Sequence, residues 1–130
     1  MQQIYFLFHL IAQFFHHLCL ENKFTKFFSQ FPGAAVIIRP PENQTVLENA
    51  EVRIPCEGQA EPANLTVKWY KDGIPVHKMG TLGQRTSILG DGTLQIRLIT
   101  SEDNGWYTCE ITNGIGRSIT ERAYINVECK

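Results

Sequence analysis

At 130 residues the chain has room for one domain with a real hydrophobic core and not for two. Twelve Lys and Arg against thirteen Asp and Glu leave a formal net charge of −1. That balance excludes the basic stripe of a nucleic-acid binder and the polybasic cluster of a membrane-surface binder, and says nothing more about partners.

The composition changes abruptly along the chain. All eight Phe precede Pro32, whereas all ten Gly lie at or after Gly33. Residues 1–31 therefore read as an apolar leader, 32–35 as a linker, 36–128 as the folded domain and 129–130 as a tail. Within the leader, Ile4 to Leu20 carries no Asp, Glu, Lys or Arg, but Gln13 and three His interrupt it. It is short and impure for a membrane span, which needs about 20 apolar residues. A secretory signal or uncleaved anchor fits better, although no Lys or Arg opens it and no Ala-x-Ala motif follows; the alternative is a leader foreign to the domain. His16, His17 and Cys19 do not make a metal site, because two adjacent His rarely aim at one ion and a further partner is missing. No cofactor is expected.

From Val36 the pattern becomes short runs of period two, separated by turn signals, which is the mark of an all-β sandwich or barrel. Val52, Ile54 and Cys56 share one face of the first clear run. Leu65, Val67 and Trp69 share one face of the next, with Lys68 and Tyr70 opposite. Leu94, Ile96 and Leu98 repeat the alternation, as do Ala123, Ile125 and Val127. Asp72-Gly73, Asp91-Gly92 and Asn113-Gly114 followed by Gly116 supply turns that need positive φ. Late in the chain Asp103, Gly105, Tyr107 and Cys109 fall at alternate positions, so Tyr107 and Cys109 point one way while Trp106 and Thr108 point the other.

Trp69 follows Cys56 by 13 residues, Cys109 follows it by 53, and Tyr107 precedes Cys109 by two. With WYKDG (69–73), DGTLQI (91–96), the D-x-G-x-Y-x-C of 103–109 and NGIG (113–116), this spacing resembles an I-set immunoglobulin domain over residues 36–128. The resemblance implies a Greek-key sandwich of two antiparallel sheets. It further implies a disulfide between Cys56 and Cys109 with Trp69 packed on it, and a corner where the Tyr107 hydroxyl turns back to upstream backbone near Asp103 and Gly105. It also implies that Arg85, at the start of a strand through Thr86, Ser87 and Ile88, pairs with Asp103. Such a bridge would place the domain in an oxidising compartment.

More narrowly, PPENQTVLE (40–48), NLTVKWYKDGIPV (64–76), CEITNGIG (109–116) and AYINVE (123–128) are similar to a domain of the Turtle proteins, which are neuronal surface adhesion molecules. Those proteins combine several immunoglobulin domains with fibronectin type III modules and one membrane span. A single such domain is present here, so the expectation is a fragment or truncated product of a larger receptor.

Two N-x-Thr sequons, at Asn43 and Asn64, are expected to carry N-glycans if the chain is exported. Lys68, Tyr70, Trp106, Thr108 and Glu110 are expected on one exposed sheet face, a candidate binding surface because Trp and Tyr are enriched in binding hot spots. The alternative is that Trp106 only covers its neighbours' aliphatic stems. Cys129 is an odd thiol that could pair with Cys19, with another chain, or with nothing.

No catalytic constellation is visible: His77 is the one histidine of residues 36–128, no phosphate loop or HExxH motif occurs, and Glu102 and Asp103, taken as neighbours on a strand, would point to opposite faces. The expectation is a non-enzymatic, extracellular or cell-surface recognition domain with protein partners, homophilic or heterophilic. It should bind no nucleic acid and no small-molecule substrate, and touch a membrane only through its N-terminal segment or parts of a longer chain. An intracellular filament-type structural domain and an ectodomain module of a receptor kinase or phosphatase are the alternatives.

Overall fold

The computed structural model describes residues 33–130. The apolar leader, with His16, His17 and Cys19, lies outside them. Ten strands account for most of the described chain: β1 (Gly33–Arg39), β2 (Gln44–Leu47), β3 (Val52–Ile54), β4 (Glu57–Glu61), β5 (Thr66–Lys71), β6 (Ile74–Pro75), β7 (Thr86–Ile88), β8 (Leu94–Ile96), β9 (Gly105–Thr112) and β10 (Ile119–Glu128). A short helix α1 (Gly80–Arg85) and 3-10 turns at Val76–Lys78 and Ser101–Asp103 connect them.

Two layers result. One is a five-stranded sheet in the order β2-β10-β9-β5-β6. The other combines the ladder β3-β8-β7 with the pair β1-β4, and β3 runs into β4 with only Pro55 and Cys56 between them. The pairings are antiparallel except β2 with β10, which is parallel, so the larger sheet is mixed and not purely antiparallel as expected. The change of layer is made between β1 and β2, where Pro40 and Pro41 lack the N–H that would let one ladder continue.

The buried sides of the layers meet in a core of Val52, Ile54, Leu94, Ile96, Ile99, Ile111, Ile125 and Val127, among others. Cys56 and Cys109 are bonded, with Cα atoms 6.5 Å apart, and this bond ties β9 to the β3–β4 run. Trp69 lies directly opposite Cys109 in the β5–β9 register, so both face inward beside the bridge. The Trp69 indole Nε1–H donates to the Gly92 carbonyl at 2.9 Å.

Gly92 is required at this point for two reasons. Its φ is +94°, and a Cβ placed on it would stand 2.3 Å from the Cys56 carbonyl oxygen. The Asp91-Gly92 turn thereby brings backbone within reach of both the disulfide and the indole.

Several expectations change. Leu98 does not share the inward face of Leu94 and Ile96: β8 ends at Ile96, Leu98 takes φ +49° and is exposed, and Ile99 enters the core in its place. Arg85 ends α1 and does not begin a strand. Glu102 and Asp103 sit in a 3-10 turn, where the two-residue strand period does not apply. Gly33, Ala34 and Ala35, read as linker, belong to β1, where Gly33 pairs with Glu61 and Ala35 is buried.

Replacing Gly92 with Ala adds both a clash and a strained φ, and should cost about 2–3 kcal/mol. For a domain of this size that lowers the melting temperature by roughly 8–24 °C. An unchanged thermal unfolding curve would remove Gly92 from the structural argument.

Candidate functional site

The corner entering β9 is organised by one carboxylate. Asp103 is buried, and its two oxygens accept from Arg85 Nη1 and Nη2 at 2.9 and 3.1 Å. The same carboxylate accepts the Thr100 N–H at 2.8 Å and the Thr100 hydroxyl at 3.2 Å. Arg85 Nη1 also donates to the carbonyls of Leu98 and Arg97 at 2.9 and 3.2 Å. Ending α1 rather than opening a strand is what aims the guanidinium across this turn. Burial alone would raise the Asp103 pKa, but the Arg85 hydrogen bonds, the Thr100 N–H and the guanidinium charge outweigh it and hold the carboxyl below its ordinary value.

The Asp103 carbonyl accepts the Tyr107 hydroxyl at 2.8 Å, which closes the corner. Burial, reinforced by the charges of Asp103 and Asp72, pushes the Tyr107 phenol well up, so it remains a donor. Gly105 has φ +147° and lets Asp72 approach: a Cβ there would lie 2.7 Å from Asp72 Oδ2. Asp72 accepts the Trp106 N–H through Oδ1 and bonds the Lys71 ammonium through Oδ2 at 3.0 Å. Lys71 shares its buried face with Trp69, yet its ammonium reaches Asp72 at the surface. The corner is thus hydrogen-bonded on both flanks and fixes the backbone from which Trp106 projects.

Outward from this frame lies the solvent face of the five-stranded sheet. The register sets Lys68 opposite Glu110 and Tyr70 opposite Thr108. The Tyr70 hydroxyl donates to Glu110 Oε1 at 3.4 Å, and Ser118 Oγ to Oε2 at the same distance. The sequence reading missed the contribution of β10, which places Tyr124 opposite Trp106 and Arg122 opposite Thr108. Trp106 and Tyr124 meet edge to face with centroids 5.4 Å apart, and the Arg122 guanidinium lies 4.3 Å from the Trp106 ring centroid. Trp106 and Tyr124 nevertheless remain 39% and 37% exposed. Trp106 is therefore partly covered by its neighbours and partly offered to solvent. The alternation of β10 could have signalled this, since Arg122 and Tyr124 lie on the opposite face from Ala123, Ile125 and Val127.

Both sequon asparagines are exposed and outside strands. Asn64 lies between β4 and β5, and Asn43 just before β2. Asn43 Oδ1 accepts the Tyr124 N–H at 2.8 Å, and its Nδ2, at the edge of the aromatic face, has no hydrogen-bond partner among the described residues. Cys129 is exposed and unbonded among the described residues, while its candidate partner Cys19 lies outside them. Among the described residues no group of three His, Cys, Asp or Glu is arranged to hold a metal ion, and no helix is long and apolar enough to cross a membrane.

A family model described as an immunoglobulin domain matches residues 36–113. The chain is 48% identical over 96 residues to Protein turtle of Drosophila melanogaster, covering 74% of this chain and 6% of that protein. It is 41% identical over 96 residues to human Protein turtle homolog B, covering 74% of this chain and 7% of that one. The chain thus spans less than a tenth of the length of either relative. Among solved structures, extracellular domains 3–5 of Drosophila OTK superpose with a TM-score of 0.66 at 28% identity, over 75% of this chain and 32% of that one.

Arg85→Ala leaves a buried carboxylate without its cation and should cost about 3 kcal/mol near neutral pH. A depressed carboxyl pKa stabilises the fold above the unfolded value, about 3.9, and that stabilisation is lost as pH falls through the lower folded value. The gap between wild type and variant, measured by urea unfolding from pH 7 to pH 3, should therefore shrink below about pH 4. A gap independent of pH would show that the Arg85–Asp103 charge pair is not its source.

Proposed function

Because the chain belongs to the immunoglobulin-domain family, we propose that it is a non-enzymatic extracellular module of cell adhesion or cell-surface recognition, acting on neurons as part of a larger receptor. The partner is another protein, homophilic or heterophilic, and the contact surface is the outer face of the β5–β9–β10 sheet. The observation that carries this reading is the Trp106, Tyr124 and Arg122 cluster: large, partly desolvated side chains of the types enriched in binding hot spots, held on a rigid sheet. Lys68, Tyr70, Thr108 and Glu110 extend it with hydrogen-bonding groups.

The Cys56–Cys109 bond supports an oxidising compartment, and exposed sequons at Asn43 and Asn64 suit an exported chain. Similarity to the Turtle proteins supports adhesion and a neuronal setting. Catalysis has no part in this reading. The observed polar networks at Asp103 and Asp72 are consumed in holding the corner.

Expressed with a secretion signal in animal cells, the chain should leave the cell oxidised at Cys56 and Cys109. N-glycanase should lower its mass, and Asn43→Gln and Asn64→Gln should each remove one glycan. Retention of a reduced, unglycosylated chain in the cytosol would overturn the extracellular assignment.

Beads coated with the secreted chain should adhere to one another or to cultured neurons, and Trp106→Ala should weaken that adhesion by about tenfold or more, as hot-spot truncation does. Its unfolding curve should move little, because the ring is part-exposed. Undiminished adhesion by the folded variant would rule out this face.

A further inference from the structure

A second surface, separate from the Trp106 face, lies where the two layers part between β5 and β7. A cavity of about 570 Å3 opens there, within the range of ligand sites and large enough for a branched apolar side chain. Val67, Trp69, Val76, Ile88 and Leu94 give it an apolar lining. Ile88 is 50% exposed at its mouth.

β7 is an edge strand that borders this cavity, because β8 pairs with it on one side and, among the described residues, no strand pairs with it on the other. Leu89 N–H donates to the Thr93 carbonyl and Arg97 N–H donates to the Arg85 carbonyl, so the odd-numbered residues of this run bond toward β8. Antiparallel ladders alternate, and the Ile88 N–H and carbonyl and the Thr86 carbonyl are thereby turned to the open edge. The Thr86 N–H is already used, closing α1 on Gly83. Three backbone groups thus await a strand beside an apolar pocket.

The charge around the cavity selects among strands. His77 and Lys78 line it and none of the lining residues is a carboxylate, whereas Lys68, which borders it through its backbone, shares the outer sheet face with Glu110. We propose that this cleft binds an extended acidic peptide segment of a partner protein. The segment would add to β7 through main-chain hydrogen bonds, seat one branched apolar side chain in the cavity, and place a carboxylate against Lys78.

The test uses the full chain and a capped nonapeptide alternating glutamate with valine and leucine, against the same peptide with lysine for glutamate. The glutamate peptide should bind at least about tenfold more tightly by calorimetry, because the lysine peptide sets like charges together. Its affinity should fall as salt rises from 0.1 to 1 M and the screening length drops from about 10 to about 3 Å. Amide shifts should concentrate at residues 86–88. Ile88→Pro, which removes an outward N–H at an edge where proline is tolerated, and Lys78→Glu should each weaken binding about fivefold or more. Lys78 is exposed, so its variant reports on the cleft even if the proline variant does not fold. Equal affinity for both peptides, indifference to Lys78→Glu, shifts centred on Trp106, or occupation of the edge by a second copy of the chain would each overturn the proposal.

Discussion

The structure depends on a three-way contact at the centre of the sandwich: the Cys56–Cys109 bond, the Trp69 indole and the Gly92 backbone. The bond closes a 53-residue separation, and in the chain-entropy account it disfavours the unfolded state by about 4 kcal/mol, a large share of what a domain of this size possesses. The indole supplies bulk beside the sulfurs, but its N–H must find an acceptor once buried. The Gly92 carbonyl is that acceptor, and it is reachable only because Gly92 has no side chain to meet the Cys56 carbonyl. Cross-link, packing and polar satisfaction are therefore met by one local arrangement.

From that centre the strain-bearing and polar features move outward to the corner before β9. Asp103 collects Arg85, Thr100 and, through its carbonyl, Tyr107, so a single residue joins α1, the 3-10 turn and β9. Asp72 does the corresponding work on the other side of Gly105, where it receives Lys71 and the Trp106 N–H. These networks leave the Trp106 side chain as the one large group at the corner that is directed outward. The outward aromatic face is thus a by-product of how the inward side is secured: a well-held strand presents Trp106 and Tyr124 at little entropic cost.

The same division explains which parts of the fold could be read before any coordinates. The alternation around Cys56, Trp69, Tyr107 and Cys109 was legible because a strand has period two and burial on one face filters residue type. The Asp91-Gly92 turn was legible as a turn. Its tight fit beneath the bridge was not, since that depends on how two distant strands pack. Leu98 was misplaced because its alternation continues β8 on paper, whereas a positive φ at that position ends the strand. Arg85 meets Asp103 from the end of α1 and not from a strand, because a family pattern preserves a contact more readily than the local conformation that delivers it.

What the amino-acid order determined by itself was most of the inward-facing residues, Leu98 excepted, together with the turn positions and the absence of a charge signature. Those are local properties, set by side-chain period and by which residues tolerate positive φ. Tertiary structure alone decided that Arg122 and Tyr124 join Trp106, that the buried Lys71 ends on the exposed Asp72, and that a cleft opens beside the unpaired edge of β7. Each of these follows from register between strands remote in the chain, and a shift of one residue would have turned every one of those side chains to the other face.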